Sequence, residues 1–136
     1  MRFAALSIVA FMALAAHAGS ETLDGRNAVI LDGDTVAFGS ERVRIMDIEA
    51  PGISEPHCER EEIFALRSRQ RLAELIRSGP VTIERMGRDE IGRTQARLFL
   101  SDGRNLADVL VAEGLALPWQ EGAEAREARQ QHWCRE

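Results

Sequence analysis

A mainly β protein with helices, built as a small barrel of five strands with two to three α-helices packed outside, is the fold class that three features of the chain predict. Apolar and polar residues alternate through three short stretches, and through two more after a long intervening segment, as half-buried strands require. The intervening segment and two later ones have helical spacing or helix-forming composition instead. Asp32-Gly33 and Gly39-Ser40 separate the first three stretches as tight-turn pairs, which makes them a meander.

Met1-Arg2 is a short positive start, Phe3 to Ala15 is apolar, and Ala16-His17-Ala18 has the small-x-small pattern of a cleavage site. Residues 1–18 are therefore expected to be a signal peptide cleaved near Ala18, because the apolar run is shorter than the ~20 residues that cross a bilayer. The expected product is periplasmic or secreted and carries no membrane anchor. Residues 19–27 read as a polar leader. The run "NAVILDGDTVAFGSERVRIMDI" gives the three strands; on the third, Val43 and Ile45 share one face and Arg44 points to the other. Strict alternation sends Glu49 to the face opposite Arg44, so the chain must bend or bulge between them if both serve one site.

From Cys58 to Ser78 the spacing of Ile63, Phe64, Leu72, Leu75 and Ile76 predicts a helix, with Glu59, Glu61 and Glu62 in its first turn and Gly79-Pro80 as its stop. "VTIERM" and "TQARLFL" follow as strands around the loop Gly87 to Arg93. A short helix is expected after Asn105 as N-cap, with Leu106, Val109 and Leu110 on one face and Gly114 ending it. Residues from about Gly122 to Cys134, rich in Ala, Glu and Arg, read as a last helix. This order suits an OB-type barrel over residues 28–118, with a C-terminal helix in 119–136. No internal repeat is present.

The chain has 17 basic and 22 acidic residues, a net charge of −5, and loss of Arg2 makes it −6. That sign opposes unaided attraction to a polyanion, so any nucleic-acid site must be local. Every basic residue other than histidine is arginine, which fits fork-like recognition of phosphate or carboxylate and equally fits the codon bias of a GC-rich genome. Cys58 and Cys134 would pair in an oxidising compartment and tie the last helix back. The alternative is a Cys₂His₂ zinc site from His57, Cys58, His132 and Cys134, although the spacing matches no common finger.

Asp-Gly alone is a turn signal. An ordered set carries more: Asp32-Gly33-Asp34-Thr35, then Arg44 in a strand ending "VRIMDIEAP", a helix, Asp89-x-x-Gly92-Arg93, and "SDGRNLADVLVAEGLA". From about Ala28 to Leu117 this order resembles the thermonuclease, or staphylococcal-nuclease-like, family of calcium-dependent phosphodiesterases with an OB barrel. The resemblance implies one calcium ion held by Asp34, Glu49 and the Ala50 carbonyl, with Asp32 behind them. It also implies that Arg44 and Arg93 grip the scissile phosphate while a calcium-held water attacks phosphorus in line.

Three departures qualify what the resemblance implies. Glu49 stands where the family has Asp, and Gly52 where it has the Glu proposed as general base. Glu55, three residues on, could return to the site over Gly52, and the longer Glu49 could touch the water itself. Glu90-Ile91 replaces a basic-aromatic pair and the chain has no tyrosine, so stacking on bases is reduced. Trp119 and Trp133 read as packing residues, and His57 as a loop residue without a catalytic partner. The expectation is a monomeric, exported nuclease of reduced activity on single-stranded DNA or RNA, bound weakly and salt-sensitively. The rival expectation is a non-catalytic OB module that recognises nucleic acid, oligosaccharide or protein.

Overall fold

The computed structural model describes residues 19–135. The expected signal peptide, residues 1–18, lies outside them. Strand β1 (Glu21–Asp24) runs into a 3₁₀ turn at Gly25–Asn27, where the Asp24 carboxylate accepts from the Arg26 N–H at 3.0 Å. Then come β2 (Val29–Asp32), β3 (Thr35–Phe38) and β4 (Glu41–Ile45), with β3 antiparallel to β2 and β4 to β3, as the two turn pairs predict. After the two-residue β5 (Ile48–Glu49), helix α1 (Glu59–Arg77) leads to β6 (Pro80–Arg88) and β7 (Thr94–Phe99). Helix α2 (Leu106–Ala112), β8 (Leu117–Pro118) and α3 (Ala123–Cys134) complete the chain.

The main sheet has six strands in the order β1-β6-β7-β4-β3-β2, while β5 and β8 form a separate antiparallel pair. With three helices this is OB-like, but it is not the closed five-stranded barrel expected. The sheet curls as a half-barrel whose edge strands, β1 and β2, are not hydrogen-bonded to each other. The extra strand arises within the leader, where the register Glu21↔Ile83 to Asp24↔Pro80 is imposed by the edge of β6. "ETLD" carries little alternation of its own, so tertiary pairing decides its state.

Val36, Val43, Ile45, Val81, Ile83 and Leu98 are fully buried beneath Leu72 and Ile76 of α1 and Leu106 and Leu110 of α2. Each such side chain contributes about 1.5–3 kcal/mol relative to exposure. Helix α1 packs on β2, the 3₁₀ turn, β6, α2 and α3. Cys58 caps its N-terminus and Asn105 caps α2, the latter by accepting from the Ala107 N–H at 2.9 Å. Cys58 is bonded to Cys134, with Cα atoms 5.9 Å apart, so these thiolates are not available to zinc. No helix among the described residues is long and apolar enough to cross a membrane.

Candidate active site

The turn between β2 and β3 fits only because residue 33 is glycine. A Cβ there would lie 2.6 Å from Ser68 Cβ and 2.8 Å from Ala50 Cβ, so the backbone is seated directly against α1 and the segment after β5. This seating holds Asp34 under Ala50. Asp34 is buried, with its Oδ2 accepting from the Ala50 N–H at 2.8 Å and its Oδ1 from the Thr35 hydroxyl at 3.0 Å.

Arg44 answers the problem of alternation. Its Nη1 donates to the Ile45 carbonyl at 2.6 Å and its Nη2 to the Ile48 carbonyl at 2.9 Å, so the guanidinium clasps the bend that follows its own strand. The bend needs Asp47 at φ +70°, in the left-handed region where non-glycine residues are rare apart from Asn and Asp. It turns Glu49 back to the side of Arg44. Nη2 of Arg44 also lies 3.5 Å from Asp34 Oδ2. The β5–β8 pair, with Glu49 opposite Leu117, fixes the strand that carries Glu49.

Arg93 arrives by a different route. Strand β7 runs parallel to β4 with Arg44 opposite Gln95, which places Arg93, two residues earlier, on the same face as Arg44. Asp89 folds the preceding loop by accepting from the backbone N–H groups of Ile91 and Arg93 at 3.1 and 2.9 Å. It also takes Arg93 Nε at 2.6 Å. Burial alone would raise the Asp89 carboxyl, but the hydrogen bonds and charge of Arg93 outweigh it and hold the group below its ordinary value. Among the described residues, no acceptor meets the two Nη groups of Arg93.

These residues line one cleft of about 740 Å³: Asp32, Asp34, Arg44, Glu49, Ala50 and Arg93, with Asp89, Gln95 and Trp119 beside them. Burial pushes the Asp32 carboxyl above its usual value and the neighbouring Asp34 charge adds to this, against smaller opposing effects from the Ile53 N–H, Arg69 and Arg44. Glu55 is not in this cleft. It is exposed on the wall of an adjoining cavity of about 280 Å³, which shares Asp32, Glu49, Ala50, Pro51 and Gly52 with the first.

Sequence reasoning missed two residues. Arg129 of α3, with only 9% of its side chain exposed, is ion-paired through Nε to Glu49 Oε2. It donates from Nη1 to the Gln120 carbonyl at 2.8 Å and stacks on Trp119 with its guanidinium carbon 4.6 Å from the ring centre. The spacing signal exists, because Arg129 and Trp133 are one helical turn apart and are the buried pair of an otherwise polar helix. Glu61 is the second. It is buried, and its carboxylate takes the His57 N–H at 2.7 Å, His57 Nδ1 at 2.9 Å and the Gly52 N–H at 3.4 Å. Cys58-x-x-Glu61 has the spacing of a capping box, with cysteine as the cap. Trp133 packs on Phe64 at 5.5 Å, as expected of a packing residue, whereas Trp119 opens onto the cleft.

Comparison with known proteins agrees with the resemblance in the motifs. Residues 42–134 match the family model described as staphylococcal nuclease homologue. Two proteins, from Escherichia coli and from Escherichia coli O157:H7, each named "Uncharacterized endonuclease", are 26% identical over 103 residues, 73% of this chain and 63% of theirs. "Succinoglycan biosynthesis protein ExoI" of Rhizobium meliloti (strain 1021) is 30% identical over 121 residues, 82% of this chain and 60% of that protein. The chain thus spans roughly three fifths of the length of the curated relatives it matches. With a family model matching well over half of its residues, this chain belongs to the staphylococcal nuclease homologue family.

Proposed function

We propose that the protein is an exported phosphodiesterase that cleaves single-stranded DNA or RNA endonucleolytically with calcium. The observation that carries this reading is the convergence of Asp32, Asp34, Glu49, Ala50, Arg44 and Arg93 on one cleft. The relatives named as endonucleases point the same way. The disulfide supports an oxidising compartment, periplasmic or secreted.

The donor set fits a hard divalent cation. Asp34, Glu49 and the Ala50 carbonyl offer oxygen only, and Asp32 stands beside Asp34 on the same cleft, a pair of carboxyl groups that a cation can bridge in charge. When bound, calcium supplies charge stabilisation at phosphate and acidifies water. The protein groups do the positioning. Arg93 presents two Nη groups for the two non-bridging phosphate oxygens, and Arg44, pinned by carbonyls, contributes fixed positive charge from the neighbouring strand. Trp119 forms part of the floor on which a nucleotide lies.

Digestion of single-stranded DNA with calcium, run against EGTA and against Arg93→Ala, tests the reading. Cleavage by the wild type alone is expected; a wild type that does no better than either control at micromolar enzyme removes the catalytic assignment. The second reading, a binding module without hydrolysis, draws on Gly52 and on the pairing of Glu49 with Arg129. Its sign is retention of an oligonucleotide or oligosaccharide without turnover.

A further inference from the structure

We propose that His57, oriented by Glu61, is the general base of this site, standing in for the carboxylate that Gly52 lacks. The inference rests on the phosphodiesterase reading and adds a residue to it. Glu61 projects from the first turn of α1 and is only 4% exposed. Its oxygens accept from the backbone N–H groups of His57 and Gly52, and in the step proposed below the Nδ1 2.9 Å away carries the ring's proton and donates to it. In that neutral tautomer Nε2 is the acceptor, and no partner for it lies among the described residues.

Glu61 links the two positions. A Cβ at Gly52 would find nothing nearer than Glu61 Oε1 at 3.9 Å, and the opposite oxygen of that carboxylate holds the imidazole. One carboxylate therefore tethers both the backbone of the missing base and the ring that replaces it. His57 lines the cavity that shares Asp32, Glu49 and Gly52 with the cleft, next to the disulfide-bonded Cys58, which fixes the loop's end. The charged groups facing that cavity are Asp32, Glu49, Glu55, Glu61, Arg126 and Arg129. Glu55 and His57 are both exposed on this cavity's wall, but among the described residues only His57 is held, at both its backbone and its ring.

In the step proposed, the oxygen of a water molecule forms a bond to phosphorus and its proton passes to His57 Nε2. The bond from phosphorus to one ester oxygen breaks with its electron pair, and that oxygen takes a proton from solvent. The imidazolium then returns its proton to solvent. Glu61 is a positioning residue: it sets the tautomer and favours the imidazolium that forms, as a carboxylate behind a catalytic histidine does.

The test is the pH dependence of calcium-supported cleavage of a single-stranded DNA oligonucleotide by the wild type, His57→Gln, Glu55→Gln and His57→Gln carrying Gly52→Glu. Expected is a wild-type kcat that rises with pH along an acid-side limb as the base loses its proton. His57→Gln should lose roughly 10²–10⁴ in kcat, with little change in KM, and lose that limb. Gly52→Glu should restore part of the rate with a limb displaced to lower pH. Retention of wild-type kcat and limb by His57→Gln overturns the inference while leaving the nuclease reading intact, and so does a loss carried by Glu55→Gln instead. Nitrogen-15 NMR of the wild-type imidazole is an independent arm: the Nδ1–H tautomer is expected, and an Nε2–H tautomer overturns the inference whatever the activity. A wild type without calcium-dependent cleavage overturns both.

Discussion

Gly33 shows how one missing methyl group sets the chemistry of the cleft. Its Cα faces Ser68 and Ala50 with no space for a Cβ, and the adjacent Asp34 carboxylate is bound to the Ala50 N–H because of that approach. Gly33→Ala must push the turn off α1, at a cost of about 1–3 kcal/mol from overpacking, which urea unfolding would measure. Calcium affinity should fall with it, since Asp34 and the Ala50 carbonyl then separate. At this scale much of the candidate cleft's lining was legible, while the roles of its residues remain those proposed. Asp34, Arg44 and Arg93 lie in short motifs whose partners are close in sequence or on adjoining strands. Arg129 and Glu61 were hidden for different reasons. Arg129 meets Glu49 only because a disulfide docks α3, and Glu61 looks like any first-turn helix acid until the loop folds back over it.

Among elements, α3 acts on the cleft through one guanidinium. Arg129 neutralises the Glu49 carboxylate that the cation reading assigns as a ligand, so the two cations compete for it. Arg129→Ala is predicted to raise calcium affinity about tenfold, equivalent to about 1.4 kcal/mol, by isothermal calorimetry; an unchanged or weaker affinity would contradict the competition. A second set of contacts joins strands instead. Arg85 of β6 donates to Glu41 of β4 at 2.7 and 2.9 Å and to Glu21 of β1 at 2.6 Å. Hydrogen bonding from Arg85, ahead of the opposing effect of burial and the further bond from Thr94, holds the Glu41 carboxyl below its ordinary value of 4.5. A lowered carboxyl stabilises the fold above that ordinary value, and the contribution disappears as pH falls through the depressed one. Glu41→Gln should accordingly flatten the acid side of a stability–pH curve, with little change in its slope above pH 5. Strand β1 was illegible because its four residues gain their state from the β6 edge, whereas α1 and the meander carry their periodicities internally.

For the molecule as a whole, two forces act against each other. The crosslink between Cys58 and Cys134 closes a loop of sequence separation 76, and its removal by paired serine substitution should cost about 4.5 kcal/mol in the chain-entropy account. Thermal unfolding of the double variant against the wild type measures it. Net charge works the other way on binding. With −5 overall and two arginines facing the cleft, the logarithm of affinity for single-stranded DNA should fall with log salt at a slope of only about −1.4, that of two displaced counterions. A much steeper slope would mean that a basic surface outside the cleft takes part. The helical and strand periods gave the architecture in outline, but the count of strands and the openness of the sheet depend on long-range pairing that no local period encodes.

The parallel seam between β4 and β7 has a further consequence, in time rather than space. Arg44 emerges from the ribosome well before its neighbour across that seam, and in the interval a helix and two further strands, β5 and β6, must be placed. On the proposed function, a nascent or truncated polypeptide ending short of the seam would hold half of the anion clamp and is expected to hydrolyse nothing. Competence to cut would then be among the last properties the folding chain acquires.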